Sequence, residues 1–522
     1  MMRVLAAALS VVAILGMFAP DASAQPPTTT KVTISGLVDN VSSYTKNMSI
    51  VDINTGRVGD DEWYARTRVR PDITAEVGTT KLVLGLEIDH TWGSTNAAGG
   101  DSTVASGGPQ RFGTTAGMDL NTDAVGNIEV KWAYTEFGFP GIPWATRVRL
   151  GAQPWAATYK TAVLATGDFA GAHFTTTMTP VVKLNLTLAQ VEEESTGTRD
   201  GFFRGEDYAF IGSVEITPFK GLDIRPIYSY FVADGTTSGS QARLGRGGVS
   251  NSTVFFGNGG LIPALSNNAQ EHRHTIGFDA RWRGGPFSFE PTFFYQFGDR
   301  DLIGPFGHGE QDLSAFFIDI RGGFQTGPLL LEAAVVYTTG NKAGEDVRRP
   351  GEDVNFYQPI STDSSYYGGW AEQWALNIDY FNMIHYAAGG IAPGVGIGYD
   401  KYGLIRLGAR ASYNVTPAFT VRGAVVANWT AEKVDTSGIK TAAAGIIPGD
   451  GSGDDRYLGT EVDLGFQWRF APGLALDVVG AYTFAGDALD ARFATNTNTG
   501  LTRHHGESGD VQSISARVRY SF

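Results

Sequence analysis

The chain has 522 residues, a formal net charge of −14, 42% hydrophobic and 18% charged residues, 68 glycines and no cysteine. An acidic chain without a Lys/Arg-rich block argues against nucleic acid as a partner, and the missing thiols exclude disulfides, thiolate metal sites and covalent haem attachment. The apolar fraction is too low for a bundle of membrane helices, and past the N-terminal segment no stretch approaches the ~18 consecutive apolar residues of a spanning helix.

Residues 1–24 read as a secretory signal. Arg3 supplies the positive end, an apolar run from Val4 to Phe18 follows, and Ala22, Ser23 and Ala24 have the small-x-small form of a cleavage site. The mature chain is expected to start at Gln25 as one domain, 25–522.

From Lys31 onward, alternating stretches follow one another. The clearest covers 62–77, where Glu62, Tyr64, Arg66, Arg68, Arg70, Asp72 and Glu76 alternate with Trp63, Ala65, Val69, Ile73 and Val77. A helix would scatter those charges around its circumference; a strand puts them on one face. After a turn at 78–80, Leu82, Leu84, Leu86 and Ile88 alternate with Lys81, Glu87 and Asp89. Then Ile128, Val130, Trp132 and Tyr134 alternate with Glu129, Lys131 and Thr135, and Val148 and Leu150 with Arg147 and Arg149. Ile276, Phe278 and Trp282 alternate with Arg273, Asp279 and Arg281; Val462, Leu464, Phe466 and Trp468 with Glu461, Asp463, Gln467 and Arg469. The final strand, 511–522, puts Ile514, Ala516, Val518, Tyr520 and Phe522 opposite Ser513, Ser515, Arg517 and Arg519.

Short connections near 78–80, 140–144, 179–180, 218–221, 284–286, 326–328, 415–418 and 470–473 alternate with long ones near 44–61, 93–124, 155–168, 192–204, 232–271, 299–312, 340–397, 431–456 and 485–510. Eight turns and nine loops join eighteen strands. The predicted fold is all-β, a transmembrane antiparallel β-barrel of about eighteen strands with short periplasmic turns and long extracellular loops. Residues 369–386 are aromatic and long enough to span, but counting them as one strand would give an odd number, so they are placed within the long loop 340–397; two extra strands, making twenty, are the alternative.

One predicted face is too rich in charge for a solid core and suits the aqueous lumen of a barrel this wide. Its candidate pore-lining residues are Arg66, Arg68, Arg70, Arg147, Arg149, Arg406, Arg410, Arg422, Glu461, Asp463, Arg469, Arg517 and Arg519. The arginines near 66–70, 406–422, 469 and 517–519 meet on one wall when the barrel closes. Either they form a ladder that favours anions, or they pair with acids such as Glu461, Asp463 and Asp477. The 155–168 connection is apolar for a loop, so it either folds into the pore as a constriction or packs on neighbouring loops. No catalytic motif stands out, and no cofactor or metal is called for. His272, His274, His504 and His505 lack a matched ligand set, and Asp450, Asp454 and Asp455 lack a full calcium-loop pattern.

The closing strand, ending on Phe522, resembles the closing strand of bacterial outer-membrane barrels, which implies recognition by the barrel-insertion machinery. Residues 457–487 resemble the C-terminal part of the alginate-export porin family through Gly459, Glu461, Asp463, Leu464, Pro472, Leu474, Gly480, Phe484, Gly486 and Asp487. That resemblance implies eighteen strands and a basic pore. The resulting expectation is an outer-membrane porin for passive diffusion of small hydrophilic solutes, anions among them, in contact with lipid and lipopolysaccharide, as a monomer or homotrimer. An exporter of an acidic polysaccharide and a non-conducting sleeve are the alternatives.

Overall fold

The computed structural model describes residues 29–46, 61–92, 127–160, 163–192, 207–234, 270–304, 307–345, 351–362, 402–434, 439–441, 445–447, 452–489, 491–497, 500–506 and 509–522. Eighteen strands form its wall: β1 (Lys31–Lys46), β2 (Asp61–Val77), β3 (Thr80–Thr91), β4 (Asn127–Gly138), β5 (Ala145–Ala156), β6 (Ala165–Thr179), β7 (Val182–Glu192), β8 (Asp207–Phe219), β9 (Leu222–Asp234), β10 (Gln270–Gly284), β11 (Phe287–Gly304), β12 (Gly307–Thr326), β13 (Leu329–Thr338), β14 (Leu404–Thr416), β15 (Phe419–Val434), β16 (Asp455–Ala471), β17 (Leu474–Ala485) and β18 (Val511–Ser521). Each pairs antiparallel with the next, and β18 pairs back onto β1, with Leu37 opposite Ser521 and Lys46 opposite Gln512. Closure leaves no sheet edge, so every wall strand finds a backbone partner on both sides.

Turns on one side of the barrel are tight. Gly78, Gly285, Gly327 and Gly473 hold φ between +54° and +71°, a region open to glycine at little steric cost. On the other side, the loops after β15 and β17 contribute a separate four-stranded sheet.

The alternation that makes these strands also sorts their faces. Val32, Ile34, Leu82, Val130, Leu150, Leu188, Ile276, Phe289, Val335, Leu407, Val425, Leu464 and Ile514 are exposed on the outside. Exposed aromatics gather at the two rims: Trp63, Trp92, Tyr337 and Phe484 on the loop side, and Trp144, Phe287, Trp468 and Phe470 on the turn side. A continuous apolar belt between aromatic rings matches a hydrocarbon layer rather than water.

Two expectations change. Residues 299–304 and 307–312 are strand, not loop: β11 and β12 run on as a pair, with Asp299 opposite Asp312 and Gly304 opposite Gly307. Second, Trp132 and Tyr134 do not face outward. Gly85 opposes Trp132 while Leu86 opposes Val130, so Lys131 is an extra residue that flips the alternation of β4. Trp132 then hydrogen-bonds Asp72 inside. Gly85 makes room for it, since a Cβ there would lie 2.0 Å from the indole nitrogen. His272 and His274 lie near the start of β10, where Tyr230 and Tyr228 hydrogen-bond their Nδ1 atoms at 2.9 and 2.8 Å. Residues 369–386 and Asp450, and the side chains of His504 and His505, lie outside the described residues.

Candidate functional site: the narrowed lumen

Two connecting segments leave the loop side and fold into the barrel. The first joins β5 to β6. After Ala156 the chain turns inward, with Ala157 N–H bonded to Ala165 O at 2.9 Å. Tyr159 and Lys160 cross to the inner faces of β9–β12. The Tyr159 backbone N–H donates to the Asp279 carboxylate. Its ring lies between the guanidinium groups of Arg225 and Arg281, 4.0 and 4.2 Å from its centroid. Lys160 Nζ donates to Glu290 O at 2.7 Å, Thr292 Oγ1 at 2.6 Å and Asp319 O at 2.9 Å, with Asp319 Oδ1 at 3.6 Å. Of the two arrangements the sequence allowed for this loop, the inward one is observed.

The second segment is 351–362, between β13 and β14. Val354 bonds through its backbone to Asp312 and Ser314 on β12. Gln358 is held from three sides: its N–H and C=O pair with Gln296 at 2.8 and 2.7 Å, and its Oε1 accepts Arg273 at 2.8 Å and Arg300 at 3.2 Å. The two segments also meet each other. Tyr357 OH donates to Val163 O at 2.8 Å, Ile360 N–H to Leu164 O at 2.7 Å, and Ser361 and Thr362 pair in parallel with Ala165 and Thr166.

Their contact is a dry core inside the barrel. Val163, Leu164, Phe169, Phe231, Phe294, Phe317, Tyr357 and Ile360 are all buried in one cluster. Tyr357 stacks on Phe317 and Phe294, at centroid distances of 4.9 and 6.5 Å. Burial pushes the phenol pKa of Tyr357, and that of Tyr159, well above the usual tyrosine range. Both rings therefore stay neutral. Burial pulls the Lys160 ammonium down, against the opposing pull of Asp319 and Asp279.

The predicted charged residues lie on the inner face. On β1, Asp39 stands opposite Arg68 of β2 on one side and Arg519 of β18 on the other; Val41 stands opposite Arg66 and Arg517. The arginine runs of β2 and β18 therefore flank one strand. They are also ion-paired. Glu87 takes Arg70 at 2.5 Å, Arg68 at 3.0 Å and Lys131 at 3.6 Å. Arg519 Nε reaches Asp39 at 2.6 Å, and Arg517 reaches Asp477 at 3.4 Å. Arg410 pairs with Glu332 at 2.6 Å, and Arg406 donates to Asn428 at 2.7 Å. Arg147 and Arg149 share Glu136, each with an Nε distance of 2.8 Å. Arg66 and Arg406 are 1% exposed and Glu461 is 0% exposed, so these three are enclosed rather than open to the lumen. Asp463 is buried, Arg422 is half-buried, and Arg469 is exposed near the turn side.

Several pairs share an asymmetry. The cation is more open than its acid: Arg147 54% against Glu136 11%, Lys183 46% against Glu215 14%, Arg519 28% against Asp39 1%. In these three pairs the carboxylate is the more buried partner, whereas in Arg68–Glu87 and Arg273–Glu271 the cation is at least as enclosed. Sequence reasoning missed Tyr159, Lys160, Tyr357 and Gln358. One signal was available: adjacent aromatics at Phe293-Phe294 and Phe316-Phe317 put an apolar ring on both faces of a strand, which calls for something to pack inside.

The geometry defines a closed barrel with an apolar outer belt, a largely charged inner face and two connecting segments folded within it. Neither a family model nor a curated protein matches the chain. Among solved structures it is similar to OccK5 (OpdH) of Pseudomonas aeruginosa, 11% identical over 94% of this chain and 98% of that one, TM-score 0.45. It is similar to OccAB4 of Acinetobacter baumannii, 11% identical over 95% and 98%, TM-score 0.48. It is also similar to a BenF-like porin from Pseudomonas fluorescens Pf-5, 10% identical over 94% and 98%, TM-score 0.48. These likenesses are too distant to bear on function.

Proposed function

We propose that this chain is an outer-membrane porin, a water-filled channel for passive diffusion of small hydrophilic solutes with a preference for anions. The carrying observation is the closed eighteen-stranded wall, apolar outside, charged inside and narrowed by two inward segments. A barrel of this size leaves an aqueous passage unless it is plugged, and the two segments account for the narrowing. The anionic preference is supported by the exposed basic heads over buried carboxylates. A nearly balanced charge count can still present a positive surface to a solute. The turn side is read as periplasmic, with the loops outside the cell.

The alternative of an export channel for an acidic polysaccharide rests on the motif in β16 and β17. The packed inward segments favour small solutes over a polymer. Liposome swelling tests the proposal. Small carboxylates are expected to enter faster than neutral sugars of equal size, and sugars faster than cationic amino acids. Equal rates for all three would remove the anionic preference, and no swelling with any solute would remove the channel.

A further inference from the structure

We propose that Lys160 fixes the bore of the channel: its ammonium anchors the inward β5–β6 segment to the far wall at Glu290, Thr292 and Asp319. This rests on the channel reading and adds the residue that sets how narrow the passage is. Strands β5 and β11 are six positions apart in a wall of eighteen, so the segment crosses the lumen as a chord. A chord needs a fixed far end. Lys160 is the only basic residue of the stretch 155–168, whose one acid is Asp168, and it is 4% exposed.

Three N–H groups of an ammonium meet three oxygens here, at 2.6, 2.7 and 2.9 Å, with the Asp319 carboxylate as countercharge at 3.6 Å. An ammonium presents its three donors from one atom on a flexible stem and can turn them to oxygens on different sides, whereas the five donors of a guanidinium lie in a fixed planar fork. The receiving site is itself braced. Thr292 Oγ1 donates to Asp279 Oδ1 at 2.6 Å. The other oxygen of Asp279 takes the Tyr159 N–H. Arg321 binds Asp319 at 2.8 Å. The anchor therefore ties three wall strands to two consecutive loop residues. Tyr159, held between Arg225 and Arg281, sets the direction of the crossing.

The side chain of Lys160 lies within the barrel and takes no part in wall pairing, so its loss should leave the eighteen strands intact. The test is Lys160→Met, close in length and without donors, compared with wild type in planar bilayers and in chymotrypsin digestion at Tyr159. Heat-modifiable gel mobility confirms the folded barrel. The expected result is a folded variant whose single-channel conductance rises about twofold as the crossing segment is released. Its open-channel noise rises too, and Tyr159 becomes cleavable where the wild type is protected. A folded variant with wild-type conductance and a protected Tyr159 would overturn the proposal. If Lys160→Met does not fold, Thr292→Val removes one of the three acceptors with little change in shape. It should shift both readouts the same way by less, and no shift would overturn the proposal. Should the wild-type barrel fail to conduct, the channel reading falls, while the cleavage experiment still decides whether Lys160 anchors the segment.

Discussion

Strands β8–β12 turn Ala209, Ile211, Ile227, Phe231, Phe294 and Phe317 toward the inside, whereas β18, β1 and β2 turn Arg517, Arg519, Asp39, Arg66, Arg68 and Arg70 there. The backbone is the same in both arcs, and the strands alternate in the same way. What differs is the cover. The apolar arc is shielded by 157–164 and 351–362, so its side chains leave water and gain packing, at roughly 25 cal/mol per Å² of apolar surface. The charged arc balances itself through ion pairs such as Arg519–Asp39 and Arg70–Glu87. Closure makes an inside: one arc is packed as core against the inward segments, while in the other Asp39, Arg66 and Arg68 are buried as charges and heads such as Arg519 are more open.

The comparison can be broken at the apolar arc with the largest effect. Tyr357→Ala removes a ring stacked on Phe294 and Phe317, and a loss of about 3–5 kcal/mol is expected. The temperature at which the heat-modifiable band disappears should fall clearly. An unchanged temperature would mean that the lumen core adds nothing to stability. On the lipid face, Leu464→Arg puts a charge at one of the most exposed apolar positions. It should cost about 2–4 kcal/mol near the bilayer midplane, read by denaturant unfolding from vesicles. A neutral outcome there would argue that β16 does not face lipid.

Smaller changes sharpen the contrast. Tyr357→Phe keeps the ring and removes only the bond to Val163 O, for an expected ~0.5–1.5 kcal/mol. A loss as large as that of the alanine variant would move the energy from packing to the hydrogen bond. In the charged arc, Arg147→Gln removes an exposed cation while Glu136 keeps Arg149. Stability should change by less than ~1 kcal/mol, while the reversal potential in a salt gradient moves toward cations. A fixed reversal potential would take Arg147 out of the selective path.

The wall was legible because a two-residue period is local: Trp63 to Val77 shows its two faces without reference to any other strand. Strand number followed from the rhythm of turns and loops. The bulge at Lys131 was not legible, because it depends on the indole of Trp132 fitting over Gly85 on the neighbouring strand. The strand extension at 299–304 and 307–312 was hidden for a different reason. Its Gly and Asp content reads as a loop, yet the pairing of β11 with β12 carries it as strand. The arginines of β2 and β18 were found on one wall, but their pairing with Asp39 and Glu87 is set by register, which a one-residue slip would undo. Lys160 and Tyr357 were beyond reach, since Lys160 acquires its role from residues more than a hundred positions away and Tyr357 from rings on two other strands and from Val163.

The central claim is that water runs through this barrel. The direct measurement is current across a planar bilayer holding the purified, folded protein, under a potassium chloride gradient. The account predicts discrete conductance steps, with a reversal potential on the anion-selective side. A folded barrel, shown to have inserted, that carries no current would contradict it.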